Sequence, residues 1–182
     1  MINNRFISLS ILILFISPIY SQVDPEKYPC KSLAEFNKLD FWLGEWDVFT
    51  QNGEKVGENR IEKILSDCAI MEQWVGNDGS QGKSLFYFDT VNKRWTQIWI
   101  TENTMRPGGL KQKYLVTDFG DETHVRFQGQ YFDGKGRIIL DRTTLIKMND
   151  GNIRQIIETS KDKGVNWRIG FDALYQPKMP NK

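Results

Sequence analysis

Turn-forming residues divide the chain from Trp46 onward into short segments of apolar and alternating character. Asn52-Gly53 is the strongest hairpin signal, and clusters rich in Gly, Asp and Asn separate the later segments in the same way. We predict ten strands, at residues 46–51, 55–65, 68–75, 83–89, 94–101, 110–117, 123–131, 137–148, 152–160 and 165–176. Because no long helical pattern lies between these segments, the spacing predicts an all-β antiparallel fold rather than βαβ units.

Closure of such a sheet would remove the exposed edges at which strands of different molecules pair. We therefore predict a single antiparallel up-and-down β-barrel of about eight to ten strands over residues 40–176. Residues 22–39 are predicted to be a lead-in that contains a short helix at 31–38, and residues 177–182 a tail.

The first 21 residues have the pattern of a secretory signal peptide. Arg5 supplies a positive start, an apolar run covers 6–16, and Ser21 is a small residue at the expected cleavage site. The apolar run is too short for a membrane span, although a retained N-terminal anchor is the alternative. We expect a secreted or periplasmic protein of about 160 residues, which is enough for one sizeable core.

Charge argues against nucleic acid as a partner. The chain has 24 Lys and Arg residues against 23 Asp and Glu residues, and removal of the signal would make it formally neutral. Binding to phosphates requires a basic excess or a basic patch, and no cluster of five or more basic residues is present. The sequence does not predict an oligomeric state.

The two cysteines, Cys30 and Cys68, fit one disulfide bond in an exported protein. The bridge would tie the lead-in to the third strand, and two free thiols are the alternative. A pair of cysteines with a single distant histidine does not supply the four ligands of a structural zinc site.

Polar residues inside aromatic or apolar strand faces are the main sign of a binding site. Glu72 shares a face with Trp74 in the third strand, and Gln97 shares one with Trp99 in the fifth. Arg142 lies between apolar residues in the eighth strand. Aromatic walls with a few convergent polar groups are typical of ligand cavities. We therefore predict a cavity for a small, partly apolar molecule lined by these five residues, with Arg142 and Glu72 pairing or gripping a polar head group. The alternative is that some of these faces point to solvent.

Two other functions stay open. The barrel could be an enzyme of the hydratase, isomerase or cyclase type, with Glu72 or Glu158 as a general acid or base whose pKa burial raises. It could also be a structural or interaction module with a filled core. The sequence contains no paired nucleophile and base, no metal-ligand spacing and no phosphate loop, which favours binding over catalysis.

The only histidine, His124, raises the question of a haem cofactor. Some barrels of this general type, the nitrobindins, hold haem through one histidine, which would have to point into an apolar interior. His124 shares a strand face with Arg126 and Gln128, so we expect it to face solvent and expect no cofactor.

The segment Ser160-x-Asp162-x-Gly164-x-x-Trp167 resembles the Asp-box turn of sialidase propellers. Its physical content is a hairpin turn, in which Asp162 accepts hydrogen bonds from the backbone and Gly164 adopts a positive φ. A propeller needs several blades and this chain has one copy, so we interpret the segment as structural and not as evidence for sugar cleavage.

A resemblance to known proteins rests on F-W-L-G-E-W-D-V at 41–48, the later E-x-W and W-x-Q-x-W, and the intervening Cys68. Gly44-x-Trp46 resembles the first-strand G-x-W of the lipocalin and fatty-acid-binding (calycin) barrels. The wider pattern resembles a group of uncharacterised secreted bacterial proteins with lipocalin-like barrels. A Trp at the start of a strand, here Trp46, suits the closed end of a small barrel when a Gly such as Gly44 precedes it and lets another chain approach closely, and the alternative is that Trp46 is an ordinary core residue. The resemblance implies that a basic residue near the last strand, here Arg168, packs over Trp46. It implies no activity.

Overall fold

The computed structural model describes residues 27–121 and 123–179, and it is a closed antiparallel β-barrel. The predicted signal peptide lies outside the described residues. The ten strands are β1 (Gly44–Thr50), β2 (Lys55–Ile64), β3 (Ala69–Gly76), β4 (Gln81–Asp89), β5 (Arg94–Thr101), β6 (Leu110–Leu115), β7 (His124–Phe132), β8 (Ile138–Lys147), β9 (Ile153–Ser160) and β10 (Arg168–Pro177). The predicted all-β up-and-down barrel is confirmed, and the strand bounds differ from the predicted ones by three residues or fewer.

Closure occurs between the first and last strands. Val48 of β1 lies opposite Gly57 of β2 on one side and opposite Tyr175 of β10 on the other. Every other strand pairs with its sequence neighbours, so each strand is hydrogen-bonded along both edges. The short, polar turns make this order accessible because each hairpin can form locally before the ends meet.

The lead-in closes one end of the barrel. The described residues before β1 form three 3-10 helices, Pro29–Lys31, Ala34–Asn37 and Asp40–Trp42, where a single short helix at 31–38 was predicted. Trp42 is fully buried and meets the Phe86 ring edge-on at 5.4 Å between centroids. Trp95 donates its indole N–H to the Glu35 carbonyl at 2.9 Å. The predicted disulfide, Cys30–Cys68, is present and joins this cap to the turn between β2 and β3.

Trp46 lies at this capped end. Its indole N–H donates to the Trp42 carbonyl at 3.0 Å, and its ring packs against Tyr175. Gly44 begins β1 with φ of +136°, a conformation that residues with a side chain rarely adopt. The implied contact between Arg168 and Trp46 is wrong, because Arg168 begins β10 at the open end whereas Trp46 pairs with Pro177 at the other end of that strand.

The opposite end of the barrel is formed by the turns at 51–54, 77–80, 102–109, 133–137 and 161–167. The first two of these turns contribute Glu54, Asn77, Asp78 and Ser80 to the lining of an interior cavity. In the part of the chain that the structure describes, no helix is long and apolar enough to cross a membrane.

Candidate functional site

A cavity of about 540 Å³ occupies the half of the barrel opposite the cap. The capped half is filled by side chains, with the rings of Tyr175, Trp42, Phe86 and Phe127 in successive edge-on contact. Tyr175 lies at the boundary, since its ring packs on Trp42 while the residue also lines the cavity. The cavity is lined by Glu54, Lys55, Val56, Glu72, Trp74, Asn77, Asp78, Ser80, Gln97, Trp99, Lys111, Lys113, Thr143, Gln155, Ile157, Phe171 and Tyr175.

Two tryptophans form neighbouring parts of the cavity wall, and glycines make room for them. A Cβ atom on Gly57 would come within 2.6 Å of the Trp74 ring. A Cβ atom on Gly82 would overlap the Trp99 ring. Each indole therefore lies against the backbone of the preceding strand instead of projecting across the barrel. Phe171 meets the Trp74 ring edge-on at 6.0 Å, and this contact completes an aromatic wall.

Glu72 is a buried carboxyl at the inner end of the cavity, with only 3% of its surface exposed. It accepts hydrogen bonds from Asn59 Nδ2 at 2.8 Å and from the Ser84 hydroxyl at 2.5 Å. Burial raises the pKa of Glu72, and the bonds from Ser84 and Asn59 and the charge of Lys113 offset part of this rise. The pKa of Glu72 is therefore higher than that of an exposed glutamate.

Gln97 extends the same hydrogen-bond chain and is buried beside it. Its Nε2 donates to the Ser84 hydroxyl oxygen at 3.0 Å. Its carbonyl oxygen, Oε1, accepts no hydrogen bond from any residue that the structure describes. An unpartnered buried carbonyl costs free energy unless a ligand or solvent supplies a donor.

A buried ion-pair cluster forms another part of the inner wall. Lys111 donates to Asp141 Oδ2 at 2.7 Å, and Lys113 pairs with Asp141 Oδ1 and donates to Thr143 at 2.6 Å. Burial lowers the pKa of Lys113 to about 8, against the opposing effect of Asp141. Burial by itself would raise the pKa of Asp141, but the two lysines outweigh it and lower that pKa. This cluster places positive charge opposite Glu72.

The Tyr175 hydroxyl connects Gln155 with Asn59 at the cavity floor. Its hydroxyl donates to Gln155 Oε1 at 2.7 Å and lies 3.4 Å from Asn59 Nδ2. Burial raises the pKa of Tyr175 well above 10, and the nearby Glu72 carboxyl raises it further. The phenol therefore stays neutral and acts as a hydrogen-bonding group.

Four of the five residues predicted to line a cavity, Glu72, Trp74, Gln97 and Trp99, do line it. The placement of Arg142 was wrong. It lies on the outer face of β8, where it forms a bidentate pair with Glu158 at 2.6 and 2.9 Å. Its guanidinium also stacks over the Trp167 ring at 3.9 Å. The predicted pairing of Arg142 with Glu72 is therefore wrong.

Glu158 does not have the environment that was predicted for a general base. It lies on the outer wall, and the hydrogen bond from Arg142 lowers its pKa although partial burial opposes this. Its role is to hold Arg142 across β8 and β9.

The Asp162 segment forms the predicted hairpin turn between β9 and β10. Asp162 accepts hydrogen bonds from the Asn166 amide at 2.9 Å and from the Ser160 hydroxyl at 2.7 Å. Gly164 has φ of +90° and donates its N–H to Ser160 Oγ at 2.8 Å. These bonds keep residues up to Trp167 in the turn, which is why β10 begins at Arg168.

His124 begins β7 on its outer face, because the alternate residues Val125 and Phe127 point into the core. Its Nδ1 lies 3.1 Å from Asp121 Oδ1. Among the described residues, no three or more His, Cys, Asp or Glu side chains are grouped so that they could hold a metal ion.

Sequence reasoning missed the lysine cluster. Asp141 and Thr143 share the inner face of β8 with Ile139 and Leu145, so they form a polar pair between apolar residues. This is the same signal that identified Glu72 and Gln97, but it was assigned to the opposite face of the strand. Lys113 carried no comparable signal, because β6 has charged or amide residues on both faces.

Comparisons with known proteins do not assign the chain to a group: no protein family matches it, and no curated protein does.

Proposed function

We propose that this protein is an exported barrel that binds a small, partly apolar molecule in its interior. The observation that carries the proposal is the cavity itself, with an aromatic wall of Trp74, Trp99 and Phe171 above a floor of buried polar groups. Its volume of about 540 Å³ lies within the range of small-molecule sites. A barrel filled for stability alone would carry apolar side chains in this space.

Export is supported by two features of the chain. The first 21 residues have the composition of a signal peptide. The Cys30–Cys68 disulfide is typical of proteins that fold in an oxidising compartment. The resemblance of the 41–48 segment to uncharacterised secreted lipocalin-like proteins supports membership of that group.

The proposal can be tested by native mass spectrometry of the mature protein purified from the periplasm or medium, with the same sample denatured. We expect an additional mass that is lost on denaturation. Ile157, which lines the cavity, and Ile156, its neighbour on the outer face of β9, provide a matched pair. Ile157→Trp should fill the cavity and remove the additional mass, whereas Ile156→Trp should retain it. Equal retention by both variants would refute interior binding.

A second function, catalysis by Glu72, is favoured by one observation. Glu72 is a buried carboxyl with a raised pKa, and it lines the cavity within hydrogen-bonding distance of Ser84. Such groups serve as general acids or bases. If the protein is an enzyme, the bound molecule should be converted on incubation and Glu72→Gln should stop the conversion without releasing the molecule. Unchanged conversion in this variant would exclude Glu72 as the acid or base.

A further inference from the structure

The charges around the cavity balance. Among the lining residues, three are acidic and three are basic: Glu54, Glu72, Asp78, Lys55, Lys111 and Lys113. At the inner end, Glu72 and Asp141 face Lys111 and Lys113, and Asp141 already contacts both lysines. A charged ligand group would have to lose its hydration without meeting an uncompensated opposite charge. The inner end therefore favours an uncharged ligand.

Among the buried side-chain oxygens that lack a donor within the described residues, Gln97 Oε1 is the one whose residue lines the cavity. The Ser84 hydroxyl has a single hydrogen, which it donates to Glu72, so its oxygen accepts from the Gln97 amide nitrogen. This chain of bonds orients the Gln97 amide and leaves Oε1 without a donor among the described residues. Gln97 is 4% exposed and lines the cavity. A ligand that carries an O–H or N–H group at its inner end would satisfy this oxygen.

The wall above this acceptor is aromatic. Trp74 and Trp99 lie against the glycine backbones of neighbouring strands, and Phe171 meets Trp74 edge-on. Indole rings held in one orientation favour a planar ring that can stack or pack edge-on, because such contacts add to the free energy of burying area. A flexible alkyl chain would gain the free energy of burying apolar area but not the additional free energy of stacking or edge-on contacts.

We propose, resting on the proposed function, that the ligand class is an uncharged planar aromatic molecule with a hydroxyl group that donates to Gln97 Oε1. The ring packs against Trp74 and Trp99, and the hydroxyl group lies at the inner end of the cavity. A hydroxyl group suits the floor because it can also accept a hydrogen bond, and the donor residue Lys113 lines the same cavity.

The test uses four probes with the same ring: 2-naphthol, 2-methoxynaphthalene, 2-naphthoate and 2-naphthylmethylammonium. Their affinities for the mature protein are measured at pH 7 by isothermal titration calorimetry. We expect 2-naphthol to bind about fivefold or more tightly than the methoxy compound, which has no O–H donor. We expect both ions to bind about tenfold or more weakly than 2-naphthol, since their desolvation is not offset.

Variants of Gln97 test whether the preference for 2-naphthol over 2-methoxynaphthalene depends on Gln97 Oε1. Gln97→Leu should reduce the affinity for 2-naphthol to that of 2-methoxynaphthalene and leave the methoxy compound unchanged. Gln112→Leu, an exposed position on the outer face of β6, should leave all four affinities unchanged. Gln97→Met replaces the leucine variant if circular dichroism shows that the latter is unfolded.

The outcomes separate the inference from the proposed function. Equal or tighter binding of either ion, or a 2-naphthol preference that survives loss of the Gln97 amide, would overturn the ligand class while leaving interior binding intact. The ligand class would also fail if the purified protein carries a molecule but binds none of the probes. If no probe binds and no molecule is carried, the proposed function and the ligand class fail together.

Discussion

Removal of the Cys30–Cys68 disulfide should lower the free energy of unfolding by a predictable amount. The bridge closes a segment of 38 residues. In the loop-entropy treatment, such a cross-link destabilises the unfolded chain by about 4 kcal/mol. With a urea dependence of about 2 kcal/mol/M for a domain of this size, the unfolding midpoint should move by about 2 M.

The folded state should change little when the bridge is lost, because other contacts hold the cap. Phe36, Leu39 and Trp42 are buried against the barrel, and Trp95 binds the Glu35 carbonyl. Lys63 on β2 also donates to Asn37 at 2.9 Å. The effect should therefore lie in the unfolded state, and binding at the open end should not change.

The assay is equilibrium urea unfolding followed by tryptophan fluorescence, with and without reductant. Wild type should lose about 4 kcal/mol on reduction, and a Cys30→Ala/Cys68→Ala variant should match reduced wild type and show no response to reductant. A loss below about 1 kcal/mol would refute the entropic reasoning, because the loop length alone requires more. Loss of two-state unfolding would instead indicate that the cap depends on the bridge.

Three further predictions concern the wall and floor of the barrel. Because burial raises the pKa of Glu72 above 4.5, the contribution of this group to stability is present below pH 4.5 and is lost as the pH rises through the folded pKa. Urea unfolding from pH 4 to 8 should therefore show that Glu72→Gln gains stability relative to wild type as the pH rises. A difference in stability that stays constant over this range would contradict the prediction. Gly82→Ala should displace the Trp99 ring, lower the free energy of unfolding by about 1–3 kcal/mol and weaken ligand binding. Gly134→Ala, in an open turn, should change neither the free energy of unfolding nor the ligand affinity when both are measured by urea unfolding and calorimetry. Arg142→Ala should cost about 1–3 kcal/mol in urea unfolding by leaving its partner carboxylate unpaired, and an altered ligand affinity in calorimetry would contradict its place on the outer wall.

The fold could be predicted because local signals and global closure agree. Asn52-Gly53 marks the first hairpin, and Gly53 takes the positive φ of +82° that such a turn requires. The largest disagreement was the start of β10. There, Asp162 and Ser160 make side-chain hydrogen bonds that extend the turn, and alternation of residues carries no information about such bonds.

The inner faces of β3 and β5 were predicted correctly because Trp74 and Trp99 are too large and apolar to be common on an outer wall. Arg142 was assigned to the wrong face because β8 alternates weakly, and a one-residue difference in register exchanges the inner and outer sets. Its neighbour Asp141 points inward and is stable there only because two lysines from β6 meet it. The residue pattern of either strand alone does not predict such a pairing between distant segments.

The structure divides the barrel into two halves with different roles. In the capped half, Trp42 and Phe86 fill the interior and the disulfide fastens the cap, so substitutions there should act on stability. In the open half, the large aromatic side chains lie along the wall and leave the interior open, and buried polar groups form the floor. Buried groups such as Glu72 and Lys113 oppose folding unless they are paired, and their retention agrees with the proposed binding of a ligand. The Tyr175 ring marks the boundary between the halves, since it packs on Trp42 below while its hydroxyl joins the polar floor above.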